Sequence, residues 1–107
     1  PEALKRKARA LRRRLANGVP KGFHFQVVAS SSRVGGGALP EEALPTFCVA
    51  VTPLGMSETE LEKRLRASDP PVIARVEEGK VLLDVRTLLE GDAGELVHIF
   101  SEFSHAD

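Results

Sequence analysis

Arg75 and Arg86 flank Asp84 in a stretch that alternates like a hairpin. Two guanidinium forks on one polar face suit a carboxylate or a phosphate, because each fork donates two parallel hydrogen bonds. The same residues equally describe a solvated cross-strand ion-pair face. Gly35-Gly36-Gly37 is a second candidate, a cleft loop in which missing side chains permit close backbone approach. It is not a phosphate loop, since no Gly-Lys-Ser/Thr follows at the required spacing, and a plain connector accounts for it as well. The third candidate is basic: Arg12, Arg13 and Arg14 belong to a run of seven Lys and Arg within residues 5–14 that suits RNA phosphate. No aromatic residues alternate with these bases, so a base-stacking platform is absent and a solubilising face remains the alternative. His24, His98, His105 and the single Cys48 lack metal-ligand spacing, so no metal site is expected. No Gly-x-Ser-x-Gly elbow is present either.

The elements that must position these groups follow from periodicity. Leu4, Ala8, Leu11 and Leu15 stack on one face of a helix over residues 1–16, which Asn17-Gly18 and Pro20 terminate. Residues 23–30 alternate as a strand, and residues 30–40 read as a loop without periodicity. Residues 46–52 form a near-continuous apolar strand, the kind found well inside a sheet. Ser57 with Glu60 makes a capping box for a helix to about Ala67, which Asp69-Pro70-Pro71 stops. Residues 72–86 read as a hairpin around Glu78-Gly79. Its two-residue register sets Val76 against Val81, Ala74 against Leu83 and Val72 against Val85, leaving Arg75, Asp84 and Arg86 on the opposite face. A last helix over 92–105 carries Leu96, Ile99, Phe100 and Phe103. The order α-β-β-α-β-β-α predicts an α+β two-layer sandwich: a mainly antiparallel four-stranded sheet with helices on one face.

Bulk properties agree. The 107 residues, 42% hydrophobic, suffice for one small core, and fifteen basic residues balance fifteen acidic ones. Eight of those bases and only one acid fall in residues 1–21, so the charge is segregated. One cysteine excludes an internal disulfide and makes the cytoplasm the default compartment. No apolar run approaches the roughly 20 residues of a membrane span. The chain begins at Pro1 inside a helical pattern, and so reads as a domain excised from a longer protein.

Taken in order, Val34-Gly35-Gly36-Gly37-Ala38-Leu39-Pro40, Leu44-Pro45, Pro71-Val72-Ile73-Ala74-Arg75-Val76 and Leu83-Asp84-Val85-Arg86-Thr87-Leu88 resemble the C-terminal part of the bacterial selenocysteine synthase (L-seryl-tRNA(Sec) selenium transferase) family. The resemblance covers about residues 34–89. It implies the small C-terminal domain of a fold-type-I enzyme whose pyridoxal phosphate is held by a lysine of the missing large domain. Residues 1–22 would then be a helix leading in from that domain, and residues 23–107 the small domain. It further implies the conversion of L-seryl-tRNA(Sec) to selenocysteinyl-tRNA(Sec) with selenophosphate, in a cytoplasmic homo-oligomer that is a decamer in the best-known bacterial form. Arg75, then Arg86, would meet a substrate anion, and Gly35-Gly36-Gly37 would line the cleft between domains. None of Lys5, Lys7, Lys21, Lys63 or Lys80 lies in a cofactor-lysine context, so the chain alone is expected to be inactive. Ala38 departs from the Ser frequent at that place in the family. Two other readings compete: a related pyridoxal-phosphate lyase or aldolase that uses no tRNA, and a non-catalytic RNA-binding module.

Overall fold

A computed structural model of the chain describes residues 2–19, 21–34, 42–88 and 92–105. The elements are α1 (Glu2–Gly18), β1 (Phe23–Val34), β2 (Glu42–Pro53), α2 (Glu58–Arg66), β3 (Arg75–Glu77), β4 (Lys80–Asp84) and α3 (Asp92–His105). The four strands form one antiparallel sheet in the order β1-β2-β4-β3, so β1 and β3 are its edges. The expected α+β sandwich is therefore present.

Strand alternation decides which side the helices take. Phe23 and Phe25 of β1, Val49 and Val51 of β2 and Val81 and Leu83 of β4 point to one face. There they join Ala8, Leu11 and Leu15 of α1, Leu61 and Leu65 of α2 and Leu96, Ile99 and Phe100 of α3 in a single core. Phe100 meets Phe23 and Phe25 edge-to-face, with ring centroids 5.1 and 5.7 Å apart. Ser57 caps α2 by accepting from the Glu60 amide at 3.0 Å, as the capping box requires.

The structure lengthens both β1 and β2 beyond the expected 23–30 and 46–52, and shortens the β3–β4 hairpin. β1 continues through Ser30–Val34, where the sequence reads as loop, because these residues pair with Glu42–Thr46 of β2. Backbone ladders do not need apolar side chains, so the serine run hid the strand. The Gly35-Gly36-Gly37 run lies outside the described residues. The hairpin has the expected register, with Val76 opposite Val81, and its turn residues Glu78 and Gly79 take φ of 51° and 79°, as a primed turn demands. Its ladder, however, stops at Arg75↔Leu82. The Val72 amide turns instead to the carbonyl of Leu65 at the end of α2, at 2.8 Å. Arg86 is likewise not in a strand: Asp84 accepts from the Arg86 amide at 2.9 Å, and this side-chain turn ends β4.

Gly18 closes α1 directly against α3. A Cβ at this position would lie 2.5 Å from Cγ1 of Val97, a branched side chain with little rotamer freedom. Gly18→Ala is expected to lower stability by about 1–3 kcal/mol, the ordinary penalty for overpacking. Chemical denaturation checks this, and restoration by Val97→Ala in the same chain identifies the clash as the cause.

Candidate functional site

The face opposite the helices holds the polar groups singled out in the sequence. Cross-strand pairing lays out its rows: Gln26–Ala50–Leu82–Arg75, then Val28–Cys48–Asp84, then Ser30–Thr46. Cys48 and Ala50 are fully buried and Leu82 nearly so, with Val28 against them, although no described helix contributes to this cluster. Among the described residues the side chain of Arg75 lies on this cluster, with Nη2 3.5 Å from Cys48 Sγ.

Arg75 belongs to edge strand β3, yet its guanidinium bonds to the other edge. Nη1 donates to the Ser31 carbonyl at 2.8 Å, and Nη2 to Ser30 Oγ at 3.1 Å and Cys48 Sγ at 3.5 Å. In a flat sheet three strand spacings, about 14 Å, would separate β3 from β1, farther than an arginine reaches. The strands must therefore coil so that the β3–β4 hairpin folds over the uncovered face. A concavity of about 310 Å³ results, lined on one side by Gln26, Val28 and Ser30 and on the other by Glu77 and Lys80. Nε of Arg75 lies 3.8 Å from the Glu77 carboxylate.

Beside this crossing, Thr46 Oγ1 donates to Asp84 Oδ1 at 2.7 Å, and the Thr46 side chain is buried. The exposed Arg86 donates through Nη2 to the Pro45 carbonyl. Arg75, Asp84 and Arg86 thus do share one region, each anchored to the β1–β2 hairpin. Burial pushes the pKa of the Cys48 thiol up and the Asp84 carboxylate adds to the rise, while Arg75 and a Ser30 hydrogen bond oppose it. The result is a protonated, unreactive thiol. Among the described residues no group of three or more His, Cys, Asp and Glu could hold a metal ion.

The sequence did not single out Ser30, Thr46 or Cys48 as partners of these charges. A trace of them was there: Thr46, Cys48 and Ala50 are small and alternate with the larger Phe47, Val49 and Val51. Small residues on one face of a central strand leave room for something to cross it.

The basic helix face divides. Arg12 Nε donates to the Phe25 carbonyl at 3.2 Å on edge strand β1. Arg9, Arg12 and Arg13 line a groove with His24 and Gln26, about 430 Å³ in volume. Arg14 points elsewhere, with Nη2 3.4 Å from where a side chain on Gly94 would begin. Of the lysines, Lys5 lies 5.9 Å from the centre of the Phe47 ring, Lys7 donates to the Leu88 carbonyl, and Lys80 pairs across β3–β4 with Glu77. Lys21 and Lys63 are exposed. No helix of the described residues is long and apolar enough to cross a membrane.

The family model for L-seryl-tRNA selenium transferase matches residues 1–89. An L-seryl-tRNA(Sec) selenium transferase of Clostridium botulinum is 43% identical over 98 residues, covering 92% of this chain and 21% of that protein. Its namesake from Geobacter sulfurreducens is 42% identical over 103 residues, covering 96% and 22%. That of Desulfotalea psychrophila is 40% identical over 102 residues, covering 95% and 22%. The chain spans about a fifth of the length of the curated relatives it matches.

Asp84→Ala removes the acceptor of a buried hydroxyl and the brace of the Arg86 turn together. It is expected to cost about 1–3 kcal/mol in a denaturation experiment. In the Thr46→Val background the cost should shrink, because the hydroxyl that Asp84 satisfies is no longer there.

Proposed function

Because the chain belongs to the L-seryl-tRNA selenium transferase family, we propose that it is the small C-terminal domain of an enzyme that converts L-seryl-tRNA(Sec) to selenocysteinyl-tRNA(Sec) with selenophosphate. The observation that carries this is the family match over residues 1–89, combined with identities of 40–43% along nearly the whole chain. In this reading residues 1–22 lead in from a large domain and residues 23–107 form the small one. The parent is a cytoplasmic homo-oligomer, with a decamer as the expected form.

Pyridoxal phosphate would supply such an enzyme with its electron sink. The described residues of this chain do not fit it. An aldimine lysine needs an enclosed amine and a neighbouring cradle for the phosphate. Lys7, Lys21 and Lys63 are exposed, Lys5 lies over a phenyl ring, and Lys80 faces the carboxylate side of the β3–β4 hairpin, which repels a phosphate. The cofactor is therefore assigned to the rest of the parent, and this domain to shaping the cleft.

Among the arginines, Arg86 is exposed and suited to meet an anion of substrate, whether selenophosphate or a tRNA phosphate. The groove of Arg9, Arg12 and Arg13 beside β1 is the part of the basic helix that suits tRNA phosphate.

Two experiments test the reading. The parent enzyme, supplied with seryl-tRNA(Sec) and selenophosphate, is expected to form selenocysteinyl-tRNA, whereas the 107-residue chain mixed with pyridoxal phosphate is expected to show no visible aldimine band. Lyase or aldolase turnover of a free amino acid by the parent, without tRNA, would overturn it. For the groove, Arg9→Glu with Arg13→Glu should weaken tRNA retention in the parent. The slope of log K against log salt should fall by about 2, one phosphate contact per arginine. An unchanged slope would remove the groove from the tRNA interface.

A further inference from the structure

The β1–β2 hairpin runs well past the rest of the sheet. β4 pairs with β2 only over Cys48–Val51, so the six pairs from Ala29↔Phe47 to Val34↔Glu42 form a two-stranded arm with no third strand among the described residues. An isolated two-stranded ribbon is marginal in water, so the direction of such an arm depends on what holds its root. At the root the Val85 amide donates to the Phe47 carbonyl at 3.2 Å and the Phe47 ring packs on the core under Lys5, and beyond it three side chains brace the arm. Arg75 grips Ser30 and Ser31 on β1, Asp84 accepts from Thr46 on β2, and Arg86 donates to Pro45 on β2. Among the described residues only Arg75 hydrogen-bonds from one edge of the sheet to the other, and it lies directly on Cys48.

We propose that Arg75 is a positioning residue, a latch from β3 to β1 that keeps the sheet curled and sets the β1–β2 arm relative to the domain. Its fork is committed to protein acceptors: a carbonyl, a hydroxyl and a thiol on two other strands. This differs from an anion-binding role, in which the guanidinium would present its donors outward. What the arm serves, a wall of the catalytic cleft in the parent, rests on the function proposed above. The latch itself does not.

Cys48 is the chain's only cysteine and is fully buried beneath the guanidinium, so it reports the latch without ambiguity. In the 107-residue chain under native conditions, Arg75→Ala is expected to speed labelling of Cys48 by a thiol reagent at least tenfold. Arg75→Lys should not restore protection, because an ammonium cannot hold a carbonyl and a hydroxyl in fixed fork geometry. Ser30→Ala, a milder change, should give an intermediate rate. Val85→Ala serves as control, since it loosens the helix-side core and leaves the latch in place. Equal labelling of Val85→Ala and Arg75→Ala at matched global stability would mean that labelling reports general unfolding, and would overturn the proposal. So would an unchanged rate in Arg75→Ala. Amide hydrogen exchange should localise the change, faster at residues 29–34 and 42–47 than at 49–51, and a uniform increase counts against the latch. In the parent, Arg75→Ala is expected to lower kcat at least tenfold while the cofactor's absorbance stays normal. Fast labelling with unaltered turnover would leave the latch standing and remove the arm from the catalytic cleft.

Discussion

Arg75 connects the two edge strands of this sheet, so the face without helices is closed by a side chain and a curl. A sheet that buries only one side normally leaves polar residues on the other. Here the uncovered side carries Cys48, Ala50 and Leu82, all removed from water. Arg75 reaches across them to β1, and only a coiled sheet brings β3 within an arginine's reach of that strand. The coil in turn is held by hydrogen bonds that satisfy a charged group half withdrawn from solvent. A guanidinium in that position is costly unless its donors are paired, and pairing them fixes the strands that supply the acceptors.

The helix side provides the stability against which this arrangement is drawn. β2 is the strand both faces need. Its large residues Val49 and Val51 enter the main core, and its small ones, Thr46, Cys48 and Ala50, form the floor that Arg75 crosses. Fully burying one Val or Leu contributes roughly 1.5–3 kcal/mol. The three helices bury two or three apolar side chains each, so the polar bracing of the arm is an addition to a core that already specifies the sheet. α1 shares that core through Ala8, Leu11 and Leu15 while keeping Arg9, Arg12 and Arg13 outward along the β1 edge.

In a domain spanning about a fifth of its relatives' length, these features concern support more than chemistry. The thiol is neutral and covered, Lys5 lies over the Phe47 ring, and Lys7, Lys21 and Lys63 are exposed. The two arginines that suited an anion in the sequence, Arg75 and Arg86, both donate to the β1–β2 hairpin, and Arg86 is the exposed one of the pair.

The amino-acid sequence by itself determined the element order, the antiparallel sheet with helices on one face, the register at Glu78-Gly79 and the capped start of α2. All of these rest on local periodicity, caps and turn chemistry, which neighbouring residues encode. It also put Arg75 and Asp84 on one face by alternation, though not Arg86, which lies beyond β4, and its ordered motifs carried the family resemblance. Only the tertiary structure decided what those residues do. The partners of Arg75 lie 44 and 45 residues earlier in the chain for Ser31 and Ser30, and 27 for Cys48. Their approach depends on sheet order and coil, neither of which any window of sequence contains. The serine run of β1 was unreadable for the same reason. Its strand state comes from the backbone ladder with β2, which apolar periodicity does not report.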